Sequence, residues 1–93
     1  IGDPNIVSGS GSYAVGNNNN IAANNAFAIG NNVVIAAGLD GAVGIGNGST
    51  VSAATVASYA PNGAAVAGTA TGSNVVSVGA SGAERRLANV AAG

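Results

Sequence analysis

Short apolar stretches recur along the chain, each ended by glycine, asparagine or a break in pattern. Ser12-Tyr13-Ala14-Val15-Gly16 is echoed by Ala26-Phe27-Ala28-Ile29-Gly30, then by Ala42-Val43-Gly44-Ile45-Gly46. A degraded copy is Ser58-Tyr59-Ala60-Pro61-Asn62, and the last is Val75-Val76-Ser77-Val78-Gly79. From the first large residue of each, at 13, 27, 43, 59 and 76, the steps are 14, 16, 16 and 17. A second element trails the first four copies: Ile21-Ala22-Ala23, Ile35-Ala36-Ala37, Val51-Ser52-Ala53 and Val66-Ala67-Gly68. Ile6-Val7 fits the end of an earlier unit. Two apolar elements in each period of about fifteen predict two short strands and two turns, since helical repeats need over 30 residues. Sixteen glycines, with frequent Val, Ile and Asn, also disfavour helix. The expected fold is all-β: a solenoid of stacked coils whose parallel strands bury together what no single coil buries alone.

Side chains alternate across a strand. Tyr13/Val15, Phe27/Ile29, Val43/Ile45 and Val76/Val78 therefore share one face of the first strand. The small residues Ala14, Ala28, Gly44, Ala60 and Ser77 share the other. On the second strand Ile21, Ile35, Val51 and Val66 oppose Ala22, Ala36, Ser52 and Ala67. The large columns are assigned to the coil interior. The small column Ala14, Ala28, Gly44 and Ser77 is expected to form a smooth outer face for close packing of another chain. A strand buried on both faces needs such a second apolar partner. Gly16-Asn17, Gly30-Asn31, Gly46-Asn47 and Asn62-Gly63 are read as turns, because Gly and Asn tolerate positive φ. Asn17 to Asn20 is read as a turn with a side-chain ladder. Leu39-Asp40-Gly41 and Thr55-Val56-Ala57 are the expected extra loop residues.

Composition narrows the function. Only 5% of residues are charged, with two basic and three acidic side chains. That excludes the basic patch of a nucleic-acid binder and a polybasic membrane-surface segment. Cys and His are absent, so thiol chemistry, His-based triads and the usual zinc sets are absent too. No apolar run approaches the roughly 20 residues that cross a bilayer as a helix. No signal peptide is recognisable, and the chain is read as part of something longer. Leu, Ile, Val and Phe make up under a quarter of the chain, a thin supply for a lone domain, which points to repetition, oligomerisation or both.

The units also resemble a known family. Asn25-Ala26-Phe27-Ala28-Ile29-Gly30 resembles the Asn-Ser-Val-Ala-Ile-Gly repeat of trimeric autotransporter adhesin heads, the YadA-like family. Ser77-Val78-Gly79, Gly82, Glu84-Arg85-Arg86-Leu87 and Asn89-Val90-Ala91-Ala92-Gly93 resemble that family's neck motif in order and spacing. The resemblance implies a left-handed parallel β-roll head over residues 1–76, with coils starting near 13, 27, 43 and 59, and a neck over residues 77–93. It implies a homotrimer on a bacterial cell surface, tethered to the outer membrane by an anchor absent from this stretch. Its partners would be host extracellular matrix or cell-surface molecules, with collagen a family precedent. No cofactor or metal is expected. The chain departs from the pattern at Pro61, which replaces an aliphatic residue, at the aromatic residues 13, 27 and 59, and in its irregular coil length.

Candidate chemistry is sparse. Glu84, Arg85 and Arg86 make a poor active site. With Gly82 and Asn89 they are expected to lock the trimer at the neck, through inter-subunit ion pairs that set register where they are desolvated. Gly44-x-Gly46-x-Gly48 lacks the spacing and the lysine of a phosphate loop and reads as turns. Asn47-Gly48-Ser49 is a formal glycosylation sequon better read as a turn. Tyr13 and Tyr59 are expected to pack with the large interior residues. The leading expectation is a non-catalytic adhesin head. The alternatives are a spacer in the adhesin fibre and an ice-binding solenoid. The latter is disfavoured because Thr50, Thr55, Thr69 and Thr71 fall out of column. A left-handed β-helix acyltransferase would have a shorter period and a catalytic His.

Overall fold

The computed structural model of the chain describes residues 4–53, 61–63, 68 and 72–93. The fold is all-β, with parallel strands in two sheets. Five-residue strands β2 (Tyr13–Asn17) and β4 (Phe27–Asn31) adjoin the shorter β6 (Val43–Ile45) and β7 (Val76–Ser77). They form one sheet in the order β2-β4-β6-β7. The short strands β1 (Ile6–Val7), β3 (Asn20–Ile21) and β5 (Val34–Ile35) form the other, in the order β1-β3-β5. Up to β6, successive strands fall alternately into the two sheets, so each sequence repeat places one strand in each. A 3-10 turn occupies Pro61–Gly63. Among the described residues no helix is long and apolar enough to cross a membrane.

The register follows the sequence echo. Tyr13 pairs with Phe27, Ala14 with Ala28 and Val15 with Ile29; Phe27 then pairs with Val43 and Ile29 with Ile45. Each strand start is fixed the same way: Tyr13 N–H donates to Ala26 O, Phe27 N–H to Ala42 O and Val43 N–H to Val75 O, at 3.0, 3.0 and 2.8 Å. The next neighbour of β6 is β7, with Val43 opposite Val76 and Gly44 opposite Ser77. The coil expected to start near 59 falls mostly outside the described residues, and β6 pairs with β7 without a strand between them.

Two expectations are corrected. Gly16-Asn17 and Gly30-Asn31 end strands rather than make turns. The chain turns one residue later, at Asn18 and Asn32, with φ of 58 and 61°, whereas Gly46-Asn47 does lie in the bend and turn that follow β6. The second correction concerns the phase of the first strand. The core holds Ile21, Ala23, Ala26, Ala28, Val33, Ile35, Ala42 and Val51, with Ala14 and Leu39 packed against it. Ile21, Ile35 and Val51 point inward as alternation predicts. On the facing sheet it is the small column that points inward. Ala28 is 0% exposed and Gly44 is buried, whereas Tyr13 is 69% and Val76 65% exposed. The reason is volume. The space between the sheets is filled from one side by Val33, Ile35 and Val51, so a methyl group on Gly44 would lie 2.6 Å from Val33 Cγ1 and 3.0 Å from Val51 Cγ2. The large residues of the first strand therefore face out.

Asparagine supplies part of the scaffold between levels. Asn19 is buried; its Nδ2 donates to Gly30 O at 3.0 Å and Val15 O at 3.3 Å, while its Oδ1 accepts from Val33 N–H at 2.9 Å. Asn5, one level earlier, donates from Nδ2 to Gly16 O and accepts from Asn19 N–H. The ladder expected of the asparagines is thus present only in part: it runs from the Asn5 and Asn19 side chains to backbone groups, while Asn17 and Asn31, which stack in register, have buried Oδ1 atoms without a hydrogen-bond partner. A second polar column runs along the other turn, where Ser10 N–H donates to Asn24 Oδ1 and Asn24 N–H to Asp40 Oδ1, both at 2.9 Å.

Candidate functional site

Parallel register turns the outward residues of the larger sheet into two apolar columns. Tyr13, Phe27, Val43 and Val76 align in one; Val15, Ile29 and Ile45 align in the other. Tyr13, Ile29, Ile45 and Val76 are exposed, while Val15, Phe27 and Val43 are half-buried. Seven large side chains on one sheet face make a contiguous patch of the kind that marks an interaction surface. Each aliphatic or aromatic side chain moved fully out of water contributes about 1.5–3 kcal/mol. None of the seven side chains is charged or strongly polar, and Glu84 and Arg85 line the groove beside Val76.

The small column is not available for that role. Ala28 and Gly44 are sealed between the sheets, and Ala14 packs against the core. Ser77 donates its hydroxyl toward Thr50 O at 2.7 Å and Gly79 O at 3.1 Å, which ties it to its own chain. The expectation that Ala14, Ala28, Gly44 and Ser77 pack between chains is corrected: the outward face belongs to the large residues. Tyr13 is likewise outward rather than interior, and Tyr59 lies outside the described residues.

The C-terminal segment forms the second feature. Ala80 and Ala83 make an antiparallel bridge, with Ala83 N–H donating to Ala80 O at 2.8 Å, and Gly82 supplies the left-handed turn at φ 81°. Glu84 accepts from Gly82 N–H at 3.0 Å. Its own backbone N–H and that of Gly82 hold its carboxyl below the ordinary value. Arg85 reaches back over the end of the larger sheet to Asn47, Ser49 and Val78. Arg86, Leu87, Asn89 and Val90 are exposed, Leu87 and Val90 at 72% each. Of the five residues expected to lock chains together, Gly82, Glu84 and Arg85 are therefore engaged in hydrogen bonds within their own chain. An open groove of about 500 Å³ lies beside them, bounded by Thr50, Ser52, Val78, Ser81, Glu84 and Arg85.

The glycine-rich stretch has a structural explanation at every position. Gly44 makes room for the core, Gly46 lies against Arg85, and Gly48 takes the turn. Among the described residues no three His, Cys, Asp or Glu side chains are grouped to hold a metal ion. What these surfaces offer is apolar contact and backbone pairing.

Reading the sequence by alternation missed the outward face because it compared residues within one strand. The signal was present across strands. Both elements carry a large column, and an interior this thin accommodates only one of them. No protein-family model matches the chain, and no curated protein matches it.

Proposed function

We propose that this chain is a non-catalytic head segment of a bacterial trimeric surface adhesin, attaching to host cells or extracellular matrix through multivalent contacts. The observation that carries the reading is the outward apolar face formed by Tyr13, Phe27, Val43 and Val76 with Val15, Ile29 and Ile45. Such a face needs a cover, and three copies turned inward about one axis cover one another. Parallel in-register pairing in both sheets supports a left-handed β-roll of stacked coils. The neck-like order of residues 77–93 supports a junction to a narrower stalk, and the exposed Leu87 and Val90 supply apolar contacts there. Exposed Arg86 is free of the hydrogen bonds that engage Arg85, so it takes over the inter-subunit role first given to both. The protein works by geometry: three identical outer surfaces, each binding weakly, gain avidity from being presented together.

Light scattering after size exclusion tests the assembly. The native chain is expected at three times 8.5 kDa. The double variant Ile29→Asp/Ile45→Asp is expected at monomer mass, with weaker retention on immobilised matrix proteins. A monomeric native chain, or a double variant that keeps the native mass, would refute the apolar-face trimer.

A further inference from the structure

Backbone stacks on backbone at the end of the larger sheet. Gly16 pairs with Gly30 and Asn17 with Asn31. The carbonyls there accept from the following level: Asn17 O from Asn32 N–H at 3.1 Å, Ile29 O from Gly46 N–H at 2.7 Å, Asn31 O from Gly48 N–H at 2.8 Å. The glycines leave no room for a side chain. A Cβ on Gly16 would strike the Gly30 carbonyl oxygen, and one on Gly30 would come within 2.8 Å of the Gly46 carbonyl carbon. At the far edge the pattern is half finished. β7 covers Val43 and Gly44, but among the described residues no strand covers Gly46 and Asn47. The Arg85 side chain lies there instead. Its Nη2 donates to Asn47 O at 3.0 Å, and its Nη1 donates to Val78 O at 3.0 Å and Ser49 Oγ at 3.2 Å. A Cβ on Gly46 would be 2.8 Å from Arg85 Cζ.

We infer that the Arg85 guanidinium takes the place of a peptide group in the last level of the sheet, extending the cover that β7 begins over Gly46 and Asn47 within its own chain. The group is planar, as a peptide is, and lies against a glycine just as the peptide planes of the preceding levels do. Its N–H donates to Asn47 O where Gly48 N–H donates to Asn31 O one level earlier. It also differs from a peptide in the respect that matters for an edge. A peptide accepts one strand and offers a carbonyl to the next, whereas a guanidinium has donors and no acceptor. Over Gly46 and Asn47 the ladder therefore stops at Arg85. An uncapped edge invites pairing with a strand of another molecule, and head-to-tail pairing of identical chains produces open filaments. Ser49 completes the cap: it is buried, gives its hydroxyl proton to Ile45 O at 2.6 Å, and accepts from Arg85. Lysine is no substitute, because a point ammonium cannot supply several coplanar donors. The fastening also divides the C-terminal segment. The chain through Arg85 is held to its own sheets, and residues from Arg86 onward are the ones open to a neighbour.

The test uses the full chain with Arg85→Ala and, to guard against simple misfolding, Arg85→Lys. Amide hydrogen exchange is followed at Thr50, whose N–H donates to Gly79 O beside the cap, and at Ala22, whose N–H donates to Ile35 O in the other sheet. Both variants are expected to lose about tenfold or more of the Thr50 protection, as befits hydrogen bonds from a charged donor, with Ala22 unchanged. Millimolar methylguanidinium is expected to restore protection in Arg85→Ala, and methylammonium is not. Sedimentation of Arg85→Ala is expected to show mass growing with concentration beyond the native assembly. Full Thr50 protection in Arg85→Lys, or equal rescue by methylammonium, would overturn the inference by showing that charge alone suffices.

Discussion

Replacing Gly44 with alanine separates the two possible phases of the first strand by the sign of its effect. Gly44 does not have positive φ, so its backbone accepts an alanine without strain. On an outward face the substitution would stabilise by about 0.4–1 kcal/mol, because alanine has less freedom to lose from the unfolded chain. Inside, the new methyl would sit 2.6 Å from Val33 Cγ1 and 3.0 Å from Val51 Cγ2. Both neighbours are β-branched, with one preferred rotamer each, so neither swings aside easily. Overpacking of this kind costs about 1–3 kcal/mol. Subtracting the chain-entropy gain, with both taken at mid-range, leaves a net loss of about 1.3 kcal/mol. For a domain this size each kcal/mol moves the melting temperature by roughly 4–8 °C, so Gly44→Ala should lower Tm by about 5–10 °C. The assay is thermal unfolding by circular dichroism at one fixed protomer concentration, since association makes Tm concentration-dependent. An unchanged or raised Tm would refute the inward placement of the small column, and with it the outward apolar face.

Two further outcomes follow from single side chains. Asn19→Ala removes both Nδ2 donors and the Oδ1 acceptor, leaving the Val33 N–H and Gly30 O without those partners. At about 1–3 kcal/mol for each buried polar group left unsatisfied, the urea midpoint should fall clearly, and a midpoint equal to the native one would count against the ladder. Glu84 has a folded-state pKa below its ordinary value, so its contribution is present above that ordinary value and is lost as pH falls through the lowered one. The Tm difference between the native chain and Glu84→Gln should accordingly shrink on acidification below that point; a difference that stays constant with pH would dismiss the Gly82–Glu84 contact as a source of stability.

The repeat in the sequence translated directly into register. Tyr13, Phe27 and Val43 are echoes in sequence and neighbours in the sheet, because parallel stacking sets like positions side by side. Alternation was equally legible, but it states only that Ala28 and Ile29 face opposite ways. Which of them is inside is decided by the volume that Val33, Ile35 and Val51 already occupy, a property of two sheets together. The contacts of Arg85 were not legible, since its partners Asn47 and Ser49 lie far away in sequence and no local spacing announces them. The copy around Tyr59 looked like one more coil by its spacing, while the register of Val43 with Val76 follows from the pairing of β6 and β7 alone.

That last pairing bears on how such a chain can change. Val43 has Phe27 on one side and Val76 on the other, and the second partner is more than twice as far along the chain as the first. Doubling a connecting segment costs only about 0.6 kcal/mol of closure entropy, whereas a slip of one residue would turn every side chain of the strand to the wrong face. Length is thus almost neutral where register is strict. A strand of this sheet can therefore take its neighbour from far along the chain without disturbing the register of the strands already paired.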